Sequence, residues 1–488
     1  MGLSLIAPRR GSPGWALAVI ATGVLISAID TTIVVLALPH IERSLHASLG
    51  SIIWIIVSYL LVITLLSTQV GRLGDIFGRV RMYEAGFAVF VIGSLLCALA
   101  WNEAAMVGFR VLQGAGGALI AANSGAVIAD NFPAERRGRA YGFNAVGWNL
   151  GAIIGIIVGG LITTYISWRW IFWINVPIGL AALLVALLVL SERGERKPRD
   201  LDLWGMGLLG LGLLGILWAM IELASSSLDA SIEVALVIGA VCLAGFVVVE
   251  RRVKAPMVEL RLFRIPTMSP SLAASFFQAL ASFSVLFLLI MYLQGVRGQT
   301  PLAGSLWLIP GYLVGAVASP FAGRLTDRMG AAWPATVGLL ISVGALLLYT
   351  GLTLRSPLWL ISIGSVINGL GSGAFFPANT TAVMRASPAR DFGLTAGLLR
   401  TCANVGMVFS FAAAIVAASH SIPRSLAFAI FVGGTNLTGA AGRAFVDGIH
   451  TSLYLAVALM LVAVALSGSR LLARRRPATR EAASARPG

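Results

Sequence analysis

The stretch Gly71-Arg72-Leu73-Gly74-Asp75-Ile76-Phe77-Gly78 returns 252 positions later as Gly323-Arg324-Leu325-Thr326-Asp327-Arg328-Met329-Gly330, the shared pattern being G-R-L-x-D-x-x-G. Each copy stands where one long apolar stretch ends and the next is about to begin. The surroundings repeat too. Ala122-Asn123-Ser124-Gly125-Ala126-Val127 comes back as Ala378-Asn379-Thr380-Thr381-Ala382-Val383, an offset of 256 residues. Pro133-Ala134, Gly138, Gly142, Asn149 and Gly151 come back as Pro388-Ala389, Gly393, Gly397, Asn404 and Gly406, an offset of 255. The chain is an internal duplication, and duplicated helical membrane proteins commonly set a site between their halves and move one half against the other.

Composition places the duplication in a membrane. Apolar residues make up 58% of the chain and charged residues 11%, against about 25% charged in a soluble domain. A crossing takes about 20 apolar residues. Fourteen stretches qualify, called spans 1 to 14 in order: 14–38, 52–70, 82–100, 104–129, 139–164, 170–190, 203–223, 231–250, 269–294, 301–322, 332–354, 357–384, 392–419 and 445–467. The repeat pairs spans 2–5 with 10–13, and by extension 1–6 with 9–14, leaving spans 7 and 8 as an insertion. An offset of eight spans is even, so the halves run parallel across the bilayer. The expected organisation is an all-α integral membrane protein with a six-helix bundle at 1–190, inserted helices and flanking loops at 191–268, a second six-helix bundle at 269–468 and a basic tail at 469–488. The segment 256–267 carries apolar residues at near-helical spacing and is read as lying along the inner surface; the apolar run 425–436 is read as a partly embedded outer loop.

The net charge of +15 orients the chain and is no nucleic-acid footprint. With the N-terminus inside, the inner segments hold 27 of the 35 Lys and Arg residues, and the outer ones hold 6: Arg43, Arg169, Arg297, Arg355, Arg424 and Arg443. That bias obeys the positive-inside rule and puts both termini in the cytoplasm. Arg110 and Arg400 remain, both within spans. Cys97, Cys242 and Cys402 lie in spans, and His40, His46, His420 and His450 are scattered on the outer side, so neither a disulfide nor a metal site is expected. The first apolar run is long and carries Asp30, unlike a cleaved signal peptide. The run Gly205-Met206-Gly207-Leu208-Leu209-Gly210 matches G-x-G-x-x-G, but it sits inside an apolar span with no strand before it, so close helix packing explains it.

A carboxylate in hydrocarbon costs at least about 3 kcal/mol. Of twenty Asp and Glu residues only Asp30 sits well inside a span, with Glu84 and Glu222 near span ends. Arg110 of span 4 lies at a similar depth to Asp30, so the two are expected to face each other across a cavity. Burial disfavours the charged form of a carboxylate and a nearby arginine favours it; a group held between these effects can load and release a proton as its surroundings change. A fixed ion pair orienting two helices is the plainer reading. In span 5, Gly147, Gly151, Gly155 and Gly159, with Gly142 and Gly160, form a smooth helical face suited to close approach or sliding. In the repeated loops the glycines permit tight turns, Asp75 and Asp327 are expected at a helix start, and Arg72, Arg79 and Arg324 are their expected partners, as in a latch that closes in one conformation. Gln113, Asn144, Trp148, Asn149, Gln278, Asn368, Arg400 and Asn404 are candidates for the lining of a central cavity, each with helix–helix hydrogen bonding as the alternative.

At this point the chain resembles the major facilitator superfamily, in particular its fourteen-span drug:proton antiporters. Gly71-Arg72-Leu73-Gly74-Asp75-Ile76-Phe77-Gly78-Arg79 is similar to the superfamily's signature loop, and Arg110-Val111-Leu112-Gln113-Gly114 to the span 4 motif whose arginine the family links to proton coupling. Asp30-Thr31-Thr32-Ile33-Val34 with Ala37-Leu38-Pro39 resembles the span 1 motif of the fourteen-span group, and Trp168-Arg169-Trp170-Ile171-Phe172 with Asn175-Val176-Pro177 the approach to its span 6. One departure stands out: the antiporter motif of span 5 has Gly-Pro where this chain has Gly155-Ile156. The resemblance implies a proton-coupled efflux transporter of amphipathic small molecules, not an enzyme. It is expected to work as a monomer in a prokaryotic cell membrane, driven by the proton gradient without a cofactor. Acidic residues for cationic drugs are missing, while Arg110 and Arg400 stand in spans, which points towards neutral or anionic substrates. A dedicated exporter of a lipid or secondary metabolite, and a non-transporting sensor or scaffold, are the alternatives.

Overall fold

The computed structural model describes residues 13–131, 134–192, 201–225, 229–253, 256–387, 392–421 and 439–484. Span 1 is the helix Pro13–Leu45, span 2 Leu49–Phe77, span 3 Arg79–Ala98, span 4 Glu103–Asn131 and span 5 Ala134–Tyr165. Span 6 is made of Trp170–Trp173 and Asn175–Val189, and the inserted spans 7 and 8 are Leu203–Ser225 and Ala230–Glu250. Span 9 is Met268–Met291, span 10 Pro301–Leu306 with Ile309–Met329, span 11 Ala332–Tyr349, span 12 Trp359–Ala386, span 13 Phe392–Ser421 and span 14 Gly439–Ser484. Helices are the forced solution, because hydrocarbon offers backbone groups no partner outside the segment itself. The apolar run 425–436 lies outside the described residues. The inner segment 256–267 forms only a short 3-10 turn, Leu260–Arg264, with Leu262 buried against Met268, Leu272, Val383 and Leu398.

Polar residues fix the helix ends. Ser48 and Thr300 accept the backbone N–H groups of Ser51 and Ala303. Asp229 caps span 8: the Ser231 hydroxyl and the Ile232 N–H both donate to its carboxylate and hold its pKa below the usual range. That cap is present at neutral pH and is lost as pH falls through the lowered pKa. Glu192, just past span 6, reaches span 3 and accepts from the backbone N–H groups of Arg79 (3.0 Å), Val80 (3.2 Å) and Arg81 (3.4 Å).

The two signature loops differ from expectation. Helix runs through most of each pattern, so Asp75 and Asp327 lie in the last turns of spans 2 and 10, not before a helix start. Only the closing glycines turn the chain, Gly78 at φ 112° and Gly330 at φ 84°, a region that favours residues without a Cβ.

The duplication is visible in the packing. Spans 1 and 5, 2 and 4, and 3 and 4 pair in the first half; spans 9 and 13, 10 and 12, and 11 and 12 repeat those pairings in the second. Glycines set the approach at equivalent places. A Cβ on Gly114 would sit 2.8 Å from the Tyr59 carbonyl, and one on Gly369 would run into the Gly311 carbonyl. The halves meet on two flanks. Span 5 meets the outer piece of span 10, where the Leu302 N–H donates to Thr164 Oγ1 at 3.3 Å. Span 2 meets span 13, and span 7 packs along both of them. Here "inner" denotes the side of the two signature loops.

Candidate functional site

Spans 1, 4 and 6 bring one polar cluster together inside the first half. Arg110 Nη1 donates to Asp30 Oδ2 at 2.6 Å and to Gln113 Oε1 at 2.6 Å, while Arg110 Nε donates to the Ile55 carbonyl at 2.9 Å. Gln113 Nε2 donates to Asp30 Oδ1 and to Ser94 Oγ, each at 2.8 Å. Asn175 Nδ2 adds a longer bond to Asp30 Oδ1 at 3.3 Å. The guanidinium stacks over the Tyr59 ring, 4.2 Å from its centroid, an arrangement that favours a cation further.

Sealing is nearly complete: Asp30, Gln113 and Asn175 are 0% exposed and Arg110 1%. Asp30 and Arg110 therefore touch directly and do not face each other across a cavity. Gln113, expected in a cavity wall, belongs to this cluster. A glutamine three residues after Arg110 comes round to the same helix face and finishes both charged groups. Ser94, Tyr59 and Asn175 were not legible as members. The signal for Asn175 was its place in the Trp168–Asn175 motif; Tyr59 looked like any aromatic in an apolar span.

The remaining candidates scatter. The glycine face of span 5 is packed on span 1: a Cβ on Gly151 would lie 2.6 Å from the Leu25 carbonyl and 2.8 Å from Ala28 Cβ, and Gly155 and Gly159 face Ile29 and Ile33. Gly160 points instead to Leu302 and Ser305 across the seam. Ile156 is buried within a continuous helix. Trp148, Asn368 and Asn404 are half-buried, Gln278 is buried and Arg400 is exposed. Gly142 and the side chains of Asn144 and Asn149 lie outside the described residues.

At the inner side, Arg79 bonds Asp75 (2.9 Å) and Asp130 (2.8 Å), tying the first loop to the end of span 4. Asp327 pairs with Arg385 of span 12 at 3.0 Å, and Arg324 lies over the Phe321 ring. The expected Arg324–Asp327 pairing is thus replaced: Asp327 reaches across to span 12, and Arg324 turns back over Phe321 of its own helix. Arg72 donates to the Pro256 carbonyl, in the loop after span 8. Next to it Gln69 Nε2 donates to the Asp202 carbonyl at 3.2 Å, so the insertion is fastened to span 2 at its inner end. Among the described residues no group of three or more metal-ligating side chains occurs.

A fourteen-span duplication with a sealed acid–arginine pair is the build of a secondary transporter. The chain belongs to the Major Facilitator Superfamily, whose profile matches residues 20–411 and again 271–488. It is 33% identical over 401 residues to the tetracenomycin C resistance and export protein of Streptomyces glaucescens, covering 81% of this chain and 74% of that one. It is 32% identical over 403 residues to the multidrug resistance protein Stp of Mycobacterium tuberculosis, with the same coverage. In fold it matches a bacterial homolog of the human lysosomal transporter Spinster, crystallised inward-facing and unoccupied, with a TM-score of 0.64, 18% identity and coverage of 93% of this chain and 96% of that one.

Proposed function

We propose that the chain exports amphipathic small molecules in exchange for protons, by alternating access between its two halves, as a monomer with both termini in the cytoplasm. One observation carries this reading: the one carboxylate deep in a span, Asp30, is neutralised by Arg110 and completely sealed. In this state the acid accepts from Arg110, Gln113 and Asn175 and holds spans 1, 4 and 6 together. Protonation from outside removes the charge that Arg110 pairs with and loosens that contact, and the half-bundle rearranges. Substrate enters from the inner side when the pair is closed. One charge crossing about 100 mV supplies about 2.3 kcal/mol and one pH unit about 1.4 kcal/mol. Together these support a gradient of neutral substrate of at most roughly 500-fold per proton.

Efflux driven by an imposed pH gradient in vesicles carrying Asp30→Asn is the test. The variant is expected to lose gradient-driven export while still binding substrate. Export at the wild-type rate would remove Asp30 from the coupling. A dedicated exporter of one secondary metabolite is the second reading, favoured by the relative that exports tetracenomycin C. Resistance of expressing cells to a broad drug panel separates the two: narrow protection selects the dedicated exporter.

A further inference from the structure

An arginine in the hydrocarbon region is costly, and it normally faces the protein interior or a water-filled cavity and has a partner there. This chain satisfies the other arginine within a span, and several at the span ends, from within. Arg110 has Asp30, Gln113 and the Ile55 carbonyl. Arg470 donates to Ser271 Oγ at 2.8 Å, Asn379 Oδ1 at 2.9 Å and the Ser467 carbonyl at 3.0 Å. Arg169 donates to the Ala100 carbonyl at 2.9 Å, and Arg297 to the Tyr292 hydroxyl at 3.2 Å. Arg400 is the exception: among the described residues it makes no hydrogen bond and no ion pair.

Its position explains where a partner would come from. Arg400 lies eight residues into span 13 from the inner end, about 12 Å along the helix axis. The side chain keeps accessible surface although it stands within an apolar span. Leu398 and Cys402 pack into the inner apolar cluster of the second half, and residues two apart on a helix point about 200° apart, so Arg400 faces away from that core. Span 13 is largely buried from Gly406 to Ala412, whereas Ala396 and Arg400, nearer the inner end, are exposed. Thr401 Oγ1, Gln278 Oε1 and Asn368 Oδ1 are buried polar atoms with no partner in the second half. The deep carboxylate Asp30 is already spent on Arg110.

We propose that Arg400 is the counter-ion for an anionic group of the transported molecule, so that the substrates are amphipathic organic anions carrying a carboxylate, sulfonate or ionised phenol. The assignment deepens the export reading and rests on it for direction of transport only. A lone positive charge within the apolar thickness of the membrane attracts an anion and repels a cation far more strongly than it would in water. An anion leaving and a proton entering both move with an inside-negative potential, so export of an anion should quicken when that potential is imposed.

Three fluorescent probes of similar size test this: anilinonaphthalene sulfonate as the anion, phenylnaphthylamine as its uncharged relative and ethidium as the cation. Binding to purified protein and pH-driven flux in proteoliposomes are measured for the wild type, Arg400→Gln and Arg400→Lys. The wild type is expected to prefer the sulfonate. Arg400→Gln should weaken sulfonate binding and flux roughly tenfold or more while leaving phenylnaphthylamine binding within about twofold, and Arg400→Lys should fall between. Sulfonate binding that is unchanged in Arg400→Gln, or a wild type that prefers ethidium, overturns the proposal, and so does a wild type that binds no sulfonate. Should Arg400→Gln fail to fold, Arg400→Lys decides: it must weaken the sulfonate selectively over phenylnaphthylamine. Arg400-dependent sulfonate binding without pH-driven flux of any probe would leave the site standing and remove the export reading.

Discussion

Asp30 accepts from three side chains carried by two other helices, and each donor does a different job. Arg110 supplies the charge, Gln113 bridges acid and arginine, and Asn175 reaches in from span 6. Replacing Gln113 by Ala strips one donor from Asp30 and one acceptor from Arg110 inside a sealed pocket. We expect a loss of about 1–3 kcal/mol of stability, read as a lower melting temperature in detergent, and a shifted pH profile of transport. Gly151→Val places a branched side chain where even a Cβ would lie 2.6 Å from the Leu25 carbonyl. Overpacking of that kind costs about 1–3 kcal/mol, and thermal unfolding should show it; an unchanged melting temperature would mean spans 1 and 5 separate easily. Asp30 and Arg110 were legible in the sequence because charge in an apolar run is expensive and therefore conspicuous. Gln113 was misplaced because a polar side chain in a span can either line a cavity or complete a buried pair, and composition does not say which.

At the level of helices, apolar length alone located the fourteen crossings, and the structure keeps them, with thirteen long apolar helices and the apolar stretch Leu150–Tyr165 among the described residues. What the pattern hid was where helices stop. The glycine-rich loops read as turns throughout, yet propagation of hydrogen bonding carries the helix to Phe77 and Met329, and a single positive-φ glycine then does the turning. Asp327, in the last turn of span 10, pairs with Arg385 of span 12. The Glu192 cap was equally hidden, since its partner helix begins over a hundred residues earlier. Glu192→Ala leaves three orphan amides at the start of span 3 and should cost about 1 kcal/mol. Faster hydrogen exchange at Arg79, Val80 and Arg81, with the rest of span 3 still protected, is the expected signature.

For the whole molecule, the outer contact between Thr164 and Leu302 is the place to hold the halves together. A disulfide between Thr164→Cys and Leu302→Cys should stop transport, and reduction should restore it; the native Cys97, Cys242 and Cys402 sit elsewhere in the spans. Transport that survives complete cross-linking would show that the halves need not part at this end. The duplication made the two bundles readable from the sequence, because both copies keep the same small residues at the same offsets. The seam between them was not readable, since nothing in either copy records how it meets the other.

The insertion makes that seam lopsided. Span 7, with span 8 packed on it, covers the side where spans 2 and 13 come together, and the insertion is pinned there by Arg72 and Gln69. In the proposed alternating-access cycle this would keep lipid tails off one margin of the boundary between the halves and leave them against the other, where span 5 meets span 10. On that reading a bilayer that is too thick or too stiff would drag on a single edge of the molecule, a lipid dependence that a twofold-symmetric relative without the hairpin would not share.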